Sequence, residues 1–459
     1  MRQSRQAFGR LTLWTSAFAL LSQAAHADTL ADALSAAYRN NPTLAAARLN
    51  AHAADQGIAQ ARAGYLPQVD LTASAGVRRN DVTPPGGPTT RTETDPQSVG
   101  VDLVQPLYTG GFLTSQSRAA RADANRARAN LRGVEQNVLL AVIAAYEDVR
   151  RDAEIVRIRQ NNVDVLARQL AAANDRFEVG EITRTDVAQA EARVAGGQAG
   201  LAGAQAAYEA SRANYAALVG AAPQDLQAPP PHPPLPASLE EALSAARDAN
   251  PEIAAAEEAQ RAARARVGLE RSALLPQIAV IGRWESEVDA GGPDVDSEGA
   301  SAVAQFSMPL FEGGYGRARI RQSRFAAAAA EASTEEIRRA VIADVVAAWN
   351  DVAASRRVVE SAREQARANE FALEGVEVEQ QVGLRTTLDV LNAQQEFLDA
   401  QLAVVSAERD AYVAAHALLA AIGALNGAAI AVNAPLYDPD QPVRDMRGML
   451  PWQDQGESP

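Results

Sequence analysis

The chain lacks two residue types outright. None of its 459 residues is cysteine, and every one of its 43 basic residues is arginine, so lysine is missing as well. Without cysteine there is no disulfide framework, thiol nucleophile, thiolate metal site or lipid-bearing N-terminal cysteine. Without lysine there is no Walker A phosphate loop, no Schiff-base or pyridoxal chemistry and no serine–lysine dyad. Aromatics are scarce at 5%, and a formal charge of −14 argues against a nucleic-acid-binding surface. No segment after the N-terminal one approaches the about 20 apolar residues of a transmembrane helix. What the chain has in plenty is alanine. An apolar fraction of 47% with few bulky rings suits long, closely packed helices better than one large core.

The first residues read as an export signal. Arg2, Arg5 and Arg10 form a basic start, Leu11 to Leu21 a short apolar core, and Ala25-His26-Ala27 a small-x-small cleavage site. The apolar run is too short to span a bilayer. Cleavage before Asp28 removes three arginines and takes the charge from −14 to −17.

The remainder is written twice. Leu30-Ala-Asp-Ala-Leu-Ser-Ala-Ala with Asn41-Pro42 returns as Leu239-Glu-Glu-Ala-Leu-Ser-Ala-Ala with Asn250-Pro251, 209 residues later. Leu66-Pro67-Gln68 maps onto Leu275-Pro276-Gln277 at the same offset. From Pro106-Leu107-Tyr108 and Gly110-Gly111 onward the offset is 203, reaching Pro309-Leu310-Phe311, Gly313-Gly314, Val382-Gly383, Asp389-Val390 and Gly423. Ordered self-similarity of this kind marks an internal repeat. The expected organisation is a signal at 1–27, a first repeat at 28–227, a proline-rich linker at 228–237, a second repeat at 238–436 and an acidic, disordered tail at 437–459.

Within each repeat the hydrophobic period switches. Val138, Leu139, Val142, Ile143, Tyr146 and Val149 lie on one helical stripe, matched by Val341, Ile342, Val345, Val346, Trp349 and Val352. Proline-free tracts predict helices over Leu113–Glu178 and Tyr315–Gln381, each roughly 100 Å long. Two shorter helices per repeat, near Thr43–Gly64 and Thr183–Gly220 in the first, would run antiparallel beside the long one. Strand alternation appears at Val69–Arg78, Val99–Leu103, Ile278–Glu287 and Ala302–Met308, separated in the first repeat by a polar loop at Arg79–Gln97. One face of these strands is apolar and the other polar, which fits strands crossing an outer membrane; two hairpins on a soluble sheet are the alternative. Four strands cannot close a barrel, since the smallest have eight, so copies must pool them.

Two-fold repetition, two hairpins, long helix tracks and a signal without a lipid cysteine together resemble the TolC family of outer-membrane channels. The stretch Val382-Gly-Leu-Arg-Thr-Thr-Leu-Asp-Val-Leu-Asn-Ala-Gln-Gln-Glu-Phe-Leu-Asp-Ala-Gln-Leu402 carries most of that resemblance. Its weaker counterpart runs from Val179 to Glu191, and Leu388–Gln395 is worded most like the type I secretion subgroup. The resemblance implies a mainly α fold with a β-barrel segment: two transmembrane strands and long antiparallel coiled-coil helices per repeat, assembled as a trimeric 12-stranded barrel on an α-helical tunnel. It implies an outer-membrane location with the helices in the periplasm, contact with outer-membrane lipid, a periplasmic adaptor and an inner-membrane ABC transporter, and no enzymatic activity or cofactor. A pump driven by protons, or a soluble periplasmic scaffold, are the other readings.

The resemblance also places a tip and a gate. Val179, Gly180, Val382, Gly383 and Leu384 match the tip turns where an adaptor docks, although Glu181 replaces the leucine of the usual first turn. Asp389 matches an aspartate ringing the constriction. The next ring position is Asn392 rather than a second acid. Arg385, Thr185 and Asp186 match positions that hold the tip shut, and the tyrosine partner position is Gln380. On the residues alone, Thr183-x-x-Asp186 and Thr386-x-x-Asp389 are capping boxes. Asp389 is therefore either a cap alone or a cap that also faces the pore, where it could hold a cation. An Arg385–Asp186 contact is expected to offset the converging acids. No dedicated metal site is expected from His52, His232 and His416, which lack ligand spacing and read as surface or packing residues.

Overall fold

The two proline-free tracts become two helices of 67 residues, near 100 Å each at 1.5 Å per residue. The structure, a computed structural model, describes residues 29–289 and 294–428. The signal read at 1–27 and the tail read at 437–459 lie outside the described residues. The first repeat runs α1 (Leu30–Asn40), α2 (Pro42–Ala63), β1 (Gln68–Ala75), β2 (Arg78–Val82), β3 (Thr90–Thr94), β4 (Gln97–Tyr108), α3 (Phe112–Glu178) and α4 (Arg184–Val219). The second runs α5 (Leu239–Ala249), α6 (Pro251–Ser272), β5 (Gln277–Val288), β6 (Ser297–Ser307), α7 (Tyr315–Gln381) and α8 (Thr387–Ala421).

Helices this long are held by their neighbours, since propensity alone gives only marginal stability. Along α3, α2 and α4 pack end to end; α6 and α8 do the same along α7, and α3 also lies against α6 and α8. The wall is thus a single layer of parallel tracks. About midway it thickens, where the stripe read from the sequence is buried: Leu139, Val142, Ile143 and Tyr146 on α3 join Val341, Val345 and Val352 on α7. α1 and α5 cover it.

Those two covering helices depart from the expected two short helices per repeat. Each is 11 residues long, and its Leu-x-x-Ala-Leu-Ser-Ala-Ala motif supplies one apolar face. The Asn-Pro pair ends it: Asn41 is extended and Pro42 has no N–H to continue the ladder. The same pair starts the next helix. Asn41 Oδ1 accepts from the N–H groups of Thr43 and Leu44 while its Nδ2 donates to Leu218 O at 3.0 Å. Asn250 repeats the arrangement on Glu252, Ile253 and Ala421 O. One side chain thereby caps α2 or α6 and ties it to the far end of α4 or α8. The proline-rich linker and Gln227 just before it cross this belt, where Tyr146 donates to Gln227 O at 2.8 Å and Tyr412 to Pro230 O at 3.1 Å.

At one end of the rods sits an antiparallel sheet in the order β1-β4-β5-β6. The central β4–β5 pairing joins the two repeats. The polar stretch expected as a loop at Arg79–Gln97 contains a second sheet, the hairpin β2–β3, held by Arg91–Asp81 at 2.9 Å. Its strands are threonine- and charge-rich, which hides them from a search for apolar alternation.

Candidate functional site

The register divides the four-stranded sheet into two chemically distinct faces. On one, Leu71, Val101, Trp284 and Ala300 stand side by side, as do Val69, Leu103, Gly282 and Ala302. On the other, Asp70, Asp102, Arg283 and Ser301 are neighbours, followed by Thr72, Gly100, Glu285 and Gly299. Arg283 and Asp102 form an ion pair at 2.7 Å across β4 and β5. The apolar face has nothing over it: Leu71 is 72% exposed and Val69 61%. A bare apolar face backed by a row of charges is the pattern of a barrel wall, with lipid on one side and water on the other. Strands of 11 and 12 residues in β4, β5 and β6 are long enough to span it.

The opposite end of the rods carries the two turns singled out by sequence. α3 stops at Val179, and Gly180 takes a left-handed φ of 79°. Glu181 N–H then closes back onto Arg176 O at 2.9 Å. The second turn repeats this with Val382, Gly383 at φ 81°, and Leu384 N–H on Glu379 O. Only glycine adopts that φ without strain, which accounts for both Val-Gly pairs. Val179, Val382 and Leu384 are exposed apolar residues at the extremity.

Both capping boxes form. Asp186 Oδ2 accepts from Thr183 N–H at 2.8 Å and from its hydroxyl at 2.7 Å; Asp389 Oδ2 does so from Thr386 at 2.9 and 2.7 Å. The Thr183 hydroxyl and N–H hold the Asp186 carboxyl below the usual carboxylate range, and the Thr386 N–H and hydroxyl do the same for Asp389. Both acids stay charged at neutral pH.

The expected Arg385–Asp186 contact is not made within the chain. Arg385 reaches Glu379 across its own turn at 2.8 Å, because Glu379 is the carboxylate left facing it where α7 ends. Asp186 is already committed to its cap. A pair the sequence reading missed links the helices behind the two turns: Arg193 Nη2 on α4 donates to Asn392 Oδ1 on α8 at 2.8 Å. Arg193 lies seven residues after Asp186, two helical turns along the same face, and that spacing was the available signal. Thr185 is exposed on the first turn of α4. Gln380 is half-buried and receives Gly383 N–H on its backbone carbonyl. His416 sits buried in the central belt, its ring tilted against that of Tyr412 at 4.6 Å between centroids, and is a packing residue.

A family model for outer membrane efflux proteins matches residues 33–221 and 242–424. The chain belongs to that family. It is 35% identical to the outer membrane efflux protein BepC of Brucella suis over 92% of this chain and 91% of that one. It is 28% identical to the outer membrane protein TolC of Vibrio cholerae over 90% and 94%. Among solved structures, the CmeC outer membrane channel of Campylobacter jejuni superposes with a TM-score of 0.77 at 16% identity, covering 91% of this chain and 89% of that one. The fold is that of trimeric channels with a helical tunnel and a barrel. An outer membrane efflux protein is a conduit and not an enzyme. It sits in the outer membrane with its rods in the periplasm, which excludes the soluble scaffold. Among the described residues no helix is long and apolar enough to cross a membrane.

Proposed function

We propose that three copies of this chain form the exit duct of a type I protein-secretion system. An inner-membrane ABC transporter supplies the energy and a periplasmic adaptor docks at Val179, Gly180, Val382, Gly383 and Leu384. The observation that carries the duct is the two-faced sheet leading through glycine corners into two 67-residue rods. Free edges at β1 and β6 are where neighbouring copies would pair, giving twelve strands from three chains. The secretion assignment rests on the Leu388–Gln395 wording. A second reading is multidrug efflux driven by protons, favoured by the similarity to a Brucella protein named for efflux.

In this reading the tip is the gate. Trimer symmetry brings three capped Asp389 side chains toward the axis, where they form a ring able to hold a cation. Asn392 follows it and is fixed by Arg193. Arg385, Thr185, Asp186 and Gln380 surround the ring. Deleting the gene and comparing the secreted proteome with drug sensitivity tests the assignment. Loss of one or a few secreted proteins with unchanged drug tolerance supports secretion; hypersensitivity with an intact secretome overturns it in favour of efflux.

A further inference from the structure

Charge in this acidic protein is not spread evenly. The helix segments bordering the sheet, residues 56–66, 109–122, 262–276 and 309–325, hold ten arginines against two glutamates, in a chain of net charge −14. Three of the ten are neutralised: Arg264 by Glu331, Arg266 by Asp123 and Arg319 by Glu270. The other seven, Arg62, Arg118, Arg121, Arg271, Arg317, Arg321 and Arg324, have no acidic partner within the described chain. Helix electrostatics do not account for the cluster on α7. Arginine near a helix start opposes the macrodipole, and neither α3 nor α7 has an acid in its first turn.

Arg317, Arg321 and Arg324 fall at i, i+4 and i+7, so they share one exposed face. That is not the face α7 turns to α6, which carries buried Gly316 against Leu274. At 1.5 Å per residue they lie roughly 5, 10 and 15 Å below the corner at Gly314. The corners are marked by exposed aromatics, Tyr108, Phe112, Phe311 and Tyr315, the residue type that settles at a membrane–water boundary. A headgroup layer is about 5–7 Å deep, within reach of the first two arginine side chains.

We propose that this arginine collar binds the phosphates of anionic phospholipids in the periplasmic leaflet of the outer membrane. Guanidinium matches phosphate bidentately and stays charged at any physiological pH. Bound lipid would fix the depth of the barrel and support the junction between sheet and rods. The inference rests on the membrane placement of the sheet and is independent of the cargo.

The test uses the purified full-length trimer in neutral detergent, titrated with soluble short-chain phosphatidylglycerol, phosphatidylcholine or glycerophosphate while its heat dissociation is followed. Phosphatidylglycerol should raise the dissociation temperature and the other two should not, with the effect fading at high salt. The triple variant Arg317→Gln, Arg321→Gln, Arg324→Gln should need about fivefold more phosphatidylglycerol or worse. The corresponding triple lysine variant should retain most of the response, and its lipid-free stability controls for misfolding. Equal stabilisation by glycerophosphate, or an undiminished response in the glutamine variant, overturns the proposal. So does a glutamine trimer that falls apart before lipid is added, which would assign these arginines to carboxylates of a neighbouring copy. A changed ion selectivity with the lipid response intact would place them in the lumen and equally overturn it.

Discussion

His416 is the residue whose chemistry is most out of keeping with its surroundings. Burial against Tyr412, reinforced by His232 on the linker, holds its imidazole below the usual 6.5, with only the Tyr412 carbonyl opposing. An unfolded chain takes up a proton there more readily than the folded one. The contribution is therefore complete above about pH 6.5 and is lost as pH falls below it, at up to about 1.4 kcal/mol per pH unit. Glu147 on the facing helix α3 is pushed up by burial, despite the Arg150 guanidinium, and works with the opposite sign. Comparison with His416→Gln isolates the histidine. Between about pH 7.5 and 5.5 the thermal midpoint of the wild type should drop relative to the variant, and parallel pH profiles would reject this. At the tip, Arg385 pairs with Glu379 beside the charged Asp389. Reversing it as Arg385→Glu puts two acids together and should loosen the turn, seen as a higher single-channel conductance in planar bilayers. Unchanged conductance would remove Arg385 from the gate.

Elements differ in how plainly the chain announces them. The rods were legible because proline is absent from Leu113–Glu178 and Tyr315–Gln381, and the observed helices begin and end within one residue of that reading. The capping boxes were legible because threonine, two spacers and aspartate form a local motif. Less visible were α1 and α5, whose 11 residues are too short to repeat a helical period often, and whose stability comes from covering the stripe on α3 and α7. The pairs Arg193–Asn392 and Arg385–Glu379 were hidden because turn geometry chooses among several nearby carboxylates and amides. Repetition also conceals local asymmetry. Gly220 and Gly423 end corresponding helices at φ 88° and 80°. A Cβ on Gly220 would meet nothing nearer than Asn40 Cβ at 3.5 Å, whereas one on Gly423 would lie 2.4 Å from Ala249 O. Gly220→Ala should cost about 1–2 kcal/mol for its left-handed backbone. Gly423→Ala adds displacement of the α5–α6 joint, a further 1–3 kcal/mol or so. Denaturant melts of the two variants decide the point; equal losses would mean that joint yields freely.

The whole molecule is built so that the seam inside one chain can be repeated between chains. β4 pairs with β5 and α3 packs on α6, joining the first repeat to the second. Applying the same relation once more carries the second repeat onto the first repeat of another copy, with β6 meeting β1 and α7 meeting α2. The corner glycines make this testable. A Cβ on Gly110, at φ 62°, would sit 2.7 Å from Leu275 Cβ and 2.8 Å from Ser272 O, so this corner is closed by the other repeat. Its counterpart Gly313, at φ 61°, has nothing within 4 Å in the single chain. The repeat offset assigns Leu66 and Ala63 of a neighbouring copy to that space; Leu66 at the β1 edge and Leu310 and Phe311 at the β6 edge are all exposed in the single chain. Gly314, at φ 87° and equally open, shares the backbone strain but corresponds to Gly111, which is open as well. Gly314→Ala should therefore keep a heat-resistant trimer on gels, while Gly313→Ala should lose it with its helical circular dichroism preserved. If both variants ran as equally stable trimers, the seam between copies would not be a repeat of the seam within one.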